Sequence, residues 1–123
     1  MRKLLLLSGA VWLIGAIAGC ATSPEGMVKD GAPFDFASAL TPYAASICIA
    51  RNARAMGGGI VGEERLLGDS STEVVVRPAS GSRDILATAQ IHRDGVLSKV
   101  SVWVGRAVRS DTKGFASKLM AGC

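Results

Sequence analysis

At 123 residues with a formal net charge of +4, the chain has room for one domain, and without Arg2 and Lys3 its balance falls to 12 basic against 10 acidic side chains. So slight an excess gives no argument for nucleic acid as a partner and is too small to steer acidic ligands strongly. One histidine and three scattered cysteines give no short ligand spacing for a metal, and no cofactor motif is present.

The chain opens with Met1-Arg2-Lys3, continues through Leu4 to Leu7 and Ala10 to Ala18, and reaches Gly19-Cys20. A charged start, an apolar middle and small residues at the end form an export signal. The apolar stretch, about 15 residues broken by Gly9 and Gly15, falls short of the roughly 20 needed to span a bilayer.

The run Ile17-Ala18-Gly19-Cys20 resembles the lipobox of bacterial lipoproteins. The resemblance implies that residues 1–19 are a signal peptide removed on export. It also implies that Cys20 takes a diacylglycerol on its thiol and an acyl chain on its new amino group, so the partner of the N-terminus is a membrane. Two or three acyl chains anchor stably where one does not. Ala21 in place of Asp implies, in a Gram-negative host, the outer membrane facing the periplasm.

Residues 20–40 read as the lipidated cysteine and a flexible tether, with Thr22-Ser23-Pro24-Glu25-Gly26 and Asp30-Gly31-Ala32-Pro33 giving little periodicity. Twenty such residues reach roughly 25 Å. Phe34 and Phe36 suggest that the end of the tether packs on the domain, which is expected over residues 41–123.

Thr41-Pro42 is a helix start, Thr suiting the N-cap and Pro the first helical position, and the spacing predicts a helix to about Met56. Ala44, Ile47, Cys48 and Ala55 fall near one face, and Gly57 supplies the stop. Gly57-Gly58-Gly59 lacks the preceding strand and the Gly-Lys-Ser/Thr ending of a phosphate loop. The segment 60–67 fits a strand or a helix.

Thr72 to Arg77 alternates as a strand, with Val74 and Val76 on one face and Glu73, Val75 and Arg77 on the other. Arg83 to Arg93 and Val96 to Gly105 alternate about Asp94-Gly95, the pair favoured in a two-residue type I′ turn. Such a turn pairs 93 with 96, 91 with 98, 89 with 100, 87 with 102 and 85 with 104. Ile85, Ala87, Ala89, Ile91, Val100, Val102 and Val104 then share one face, with Thr88, Gln90, His92, Lys99 and Ser101 on the other.

Ser110 or Asp111 caps a last helix running to about Ala121, with Phe115, Ala116, Leu119 and Cys123 in line. The expected fold is α+β: a small antiparallel meander of three or four strands with an N-terminal and a C-terminal helix on one face, in the order α-β-β-β-α.

With Cys20 lipidated, two cysteines remain in an oxidising compartment, which predicts a disulfide between Cys48 and Cys123. His92 falls on the polar face beside a turn, without a nucleophile in a recognisable setting, and reads as a solvated surface residue rather than a catalytic base. Leu86 falls opposite Trp103 on the same face, with Val75 beside them. An apolar patch anchored by Trp is a candidate partner-binding surface unless Phe34, Phe36 or the segment 60–67 covers it. Arg51, Arg54, Arg106, Arg109, Lys113 and Lys118 could face anionic lipid or glycan, although solvated helix faces look alike.

No set of nucleophile, base and oxyanion donors is legible. The sequence therefore points to a lipid-anchored, non-enzymatic envelope protein that binds another envelope protein or a glycan, with no nucleic acid and no cofactor. The alternative is a periplasmic inhibitor or immunity-type lipoprotein that blocks a hydrolase, using a loop such as Glu63-Glu64.

Overall fold

The computed structural model describes residues 23–80 and 83–123, so the lipobox-like run and Cys20 lie outside the described residues. The elements are α1 (Pro24–Asp30), β1 (Phe34–Ser38), α2 (Pro42–Ala55), β2 (Ile60–Gly68), β3 (Ser71–Pro78), β4 (Ala87–Asp94), β5 (Leu97–Val104) and α3 (Thr112–Met120). The fold is α+β. The strands form one antiparallel sheet in the order β1-β5-β4-β3-β2, so β1 and β2 are its edges.

The expected meander had three or four strands and one helix at each end. The five-stranded sheet gains β1 and β2, and a third helix precedes them. Both β1 and α1 come from the stretch expected to be a tether. Ser23 and Pro24 begin α1 by the same rule that Thr41 and Pro42 use in α2: the Ser23 Oγ accepts from the Gly26 N–H at 2.9 Å, and the Thr41 Oγ1 from the Ala44 N–H at 3.2 Å. Phe34 and Phe36 do pack on the domain, but as alternate residues of an edge strand paired with Val102 and Val100.

Helices α2 and α3 cover one face of the sheet, referred to below as the inner face. Ala45, Ile49, Ala50 and Ala53 of α2 and Ala116, Leu119 and Met120 of α3 meet Val74, Val76, Ala87, Ala89, Ile91, Val100 and Val102 in one core. The buried stripe of α2 is therefore one residue round from the expected one: Ala44 and Ile47 are partly exposed, Ala55 is exposed, and Ser46 is buried with its hydroxyl donating to the Tyr43 carbonyl at 2.7 Å. Small side chains let helix and sheet approach closely. A Cβ on Gly62 of β2 would sit 2.9 Å from the Ala50 Cα.

The β4–β5 hairpin keeps the predicted faces but not the predicted register. Asp94 pairs with Leu97, Ile91 with Val100, Ala89 with Val102 and Ala87 with Val104. The two turn residues are Gly95 and Val96, and Gly95 has a positive φ, at +67°. Gly at the first central position suits a type II′ turn, whereas the expected type I′ turn would need a left-handed Asp94 as well. Moving every partner by two residues leaves each side chain on its face, which is why both registers satisfy the same hydrophobic pattern.

Candidate functional site

Cys48 and Cys123 form a disulfide across a separation of 75 residues, fastening the end of the chain to α2. Hydrogen bonds support the same junction. The Asn52 side-chain amide donates to the carbonyls of Leu119 and Ala121, both at 2.8 Å, and the Ser38 hydroxyl donates to the Cys123 carbonyl.

The Trp103 patch is present, with one different member and a cover. Trp103 and Val75 lie on the outer face in the row Glu63, Val75, Thr88, Trp103. Leu86 does not join them, which corrects the expected set. Strand β4 starts only at Ala87, and just before it Leu86 donates its N–H to the Val76 carbonyl at 2.7 Å and accepts from Gly105 at 2.8 Å. The alternation slips there, so Leu86 packs on the inner core and Ile85 takes its place beside Trp103.

The cover is α1 rather than Phe34, Phe36 or β2. Met27 and Val28 lie over Val75, Ile85 and Trp103, leaving Trp103 9% exposed. The indole N–H donates to the Gly31 carbonyl at 3.2 Å, and the Thr88 hydroxyl donates to the Met27 sulfur at 3.7 Å. The expected open patch is therefore a second, smaller core. What stays accessible is its rim, a groove of about 150 Å³ lined by Gly26, Asp30, Gly31, Trp103, Gly105 and Arg106. That volume suits a side chain or a sugar hydroxymethyl better than a cofactor.

Beside the covered row runs a polar one: Arg65, Glu73, Gln90, Ser101 and Asp35, one residue from each strand. The Arg65 Nε donates to Glu73, Gln90 donates to the other Glu73 oxygen at 3.1 Å, and Ser101 donates to Asp35 at 2.7 Å. Glu73 is 2% exposed. A carboxylate buried that far needs a charge and a second donor, and it has both. Arg65 also reaches Glu25 of α1 at 3.1 Å, so this row pins the covering helix to the sheet. A backbone hydrogen bond, and then the Arg65 guanidinium, hold the Glu25 carboxyl below its ordinary value of 4.5.

His92 is exposed at the end of β4. Glu63 and Glu64 are exposed on edge strand β2 rather than on a loop, and Glu63 pairs with Arg77 at 3.2 Å. Arg51, Arg54, Arg106, Arg109, Lys113 and Lys118 are exposed. Among the described residues no cluster of three or more His, Cys, Asp or Glu could hold a metal, and no helix is long and apolar enough to cross a membrane.

Sequence reasoning missed the polar row and the exposed apolar ends of two hairpins, at Leu66-Leu67 and Val96-Leu97. The second had a signal: apolar pairs flanking Gly68-Asp69 and Asp94-Gly95, where turns ordinarily carry polar residues. No protein-family model, no curated protein and no solved structure matches the chain.

Proposed function

We propose that this chain is a lipoprotein of the bacterial cell envelope, anchored through acylated Cys20, that acts as a non-enzymatic binding module for an envelope protein or glycan. The distribution of its cysteines carries the reading. Two of the three are joined in the fold, as suits an oxidising compartment, and the third ends the lipobox-like run Ile17-Ala18-Gly19-Cys20. In a Gram-negative cell the domain then faces the periplasm from the outer membrane.

With Trp103 covered, the partner is met at the groove beside α1, where Asp30 and Arg106 offer opposite charges around an aromatic rim. Two measurements test this. Metabolic labelling with an alkyne fatty acid should mark the wild type and not Cys20→Ser, and equal labelling would sink the anchor. A photoreactive residue at exposed position 106 should give a defined adduct in cells, whereas random low-yield adducts would remove the groove from consideration.

The inhibitor reading is favoured by one observation, the exposed pair Glu63 and Glu64 on an unpaired sheet edge, which suits insertion against a basic cleft. Protection of cells against a specific hydrolase, lost in the Glu63→Ala/Glu64→Ala variant, would select it.

A further inference from the structure

Among the described residues, the large apolar side chains left exposed are Tyr43, Leu66, Leu67, Val96 and Leu97, with Val96 90% and Leu66 72% exposed. They come from separate elements yet share one end of the sheet. Leu66 and Leu67 precede the turn between β2 and β3, Val96 lies in the turn between β4 and β5, and Leu97 opens β5. Ser71 at the start of β3 pairs with His92 near the end of β4, so the two turns stand side by side, about 10 Å apart at the usual strand spacing. Tyr43 is in the first turn of α2 at the same end, where the Thr72 hydroxyl donates to the Pro42 carbonyl at 3.0 Å. Exposed apolar side chains scattered singly need no explanation, but a group gathered at one end marks a contact surface.

The route of the chain identifies what it contacts. The first helix begins at Pro24, and its Glu25 is tied to Arg65, three residues before the end of β2 at Gly68. That is about 10 Å from the hairpin turn. Cys20 precedes Ser23 by three residues, a reach of at most about 10 Å. Acyl chains on Cys20 can therefore enter a bilayer level with the two apolar turns. Charge does not oppose this, since Asp69 and Asp94 at the turns are matched by Arg93 and Lys99 beside them.

We infer that this apolar end rests in the interfacial layer of the membrane that holds Cys20. Leu66, Val96 and their neighbours dip among the lipid head groups, with Tyr43 at the water boundary where aromatic rings with a polar tip are favoured. The contact sets the orientation of the domain. The groove at Trp103, Gly105 and Arg106 lies at the opposite end of β5 from Leu97, so it points away from the lipid toward a partner. The inference rests on the lipid-anchor reading.

The test uses the lipidated mature protein reconstituted into vesicles of phosphatidylethanolamine and phosphatidylglycerol, with a nitroxide-labelled lipid as a shallow quencher. Leu66→Trp and Val96→Trp place a probe at exposed positions of the apolar end, and Ala79→Trp places one at the exposed far end of β3. After subtraction of the wild-type emission, which comes from Trp103, probes at 66 and 96 should shift to the blue and lose most of their emission to the quencher, while the probe at 79 keeps its emission. Equal quenching at all three positions, in protein that is vesicle-bound and carries lipid on Cys20 by mass spectrometry, overturns the inference and leaves the anchor standing. Protein without lipid on Cys20 that stays off the vesicles overturns the anchor reading and this inference together. A defined protein adduct from a photoreactive residue at 96 in cells, with no quenching in vesicles, assigns the end to a protein partner instead.

Discussion

Arg65 divides its guanidinium between Glu25 on α1 and Glu73 on β3, and these carboxylates raise its own affinity for the proton. The two pairs differ in environment. Glu73 is buried, so removing its charged partner leaves a carboxylate with Gln90 alone, whereas Glu25 is exposed and its pair is screened by water. Arg65→Met should cost about 1–3 kcal/mol in urea unfolding, the usual penalty for leaving a buried polar group short of a partner. Glu25 makes a pH-dependent contribution whose sign follows from its lowered value. A carboxyl depressed on folding stabilises fully above its unfolded value, here 4.5, and loses that contribution as pH falls through the folded value. Wild type should therefore lose more stability than Glu25→Gln as the solution is acidified below 4.5. Parallel urea midpoints for the two proteins across that range would show that the link to Arg65 does not form in solution. Alternation placed Glu73, Gln90 and Ser101 on their faces, but their partners were not legible, because a Glu in a strand says nothing of its neighbours until register brings Arg65 and Gln90 alongside.

The hairpin shows how far pattern alone reaches at the level of elements. Alternation in 87–94 and 97–104 assigned inner and outer faces correctly, because burial selects a face. It could not choose between registers two residues apart, and Asp94-Gly95 suggested the wrong one. The structure makes the choice testable: Gly95→Ala forces an L residue to φ +67°, at about 1–2 kcal/mol, while Asp94→Ala should change the thermal midpoint little. The reverse ranking would restore the type I′ turn. Strand β1 and helix α1 were hidden for a different reason. Ser23-Pro24 carries the same start signal as Thr41-Pro42, but α1 spans only Pro24–Asp30 and β1 only Phe34–Ser38, too short to establish a period. Gly62 is the converse, a residue whose role appears only in the packed state. Gly62→Ala should cost about 1–3 kcal/mol by overpacking against Ala50, and Ala50→Gly should not rescue it, because the nearest atom is the Ala50 backbone Cα; full recovery in the double variant would place the strain on the Ala50 side chain instead.

At the scale of the whole molecule, the described residues form a sheet with a helix pair on one face and a short helix on the other, and the chain end that closes the larger core is fixed covalently. Cys48–Cys123 closes a loop of 75 residues, which on the chain-entropy model stabilises the fold by about 4 kcal/mol. A domain of this size has a total of about 5–15 kcal/mol, so the disulfide accounts for a large share of what holds it together. The Cys48→Ala/Cys123→Ala variant should still fold, because Asn52 continues to hold the Leu119 and Ala121 carbonyls. Its unfolding midpoint in urea should fall steeply, and wild type in strong reductant should fall to match it. Unchanged wild-type stability in reductant would mean that the thiols are not joined. A fold that gives up a large share of its margin on reduction is better kept where thiols stay oxidised, as the proposed export and anchoring at Cys20 would require.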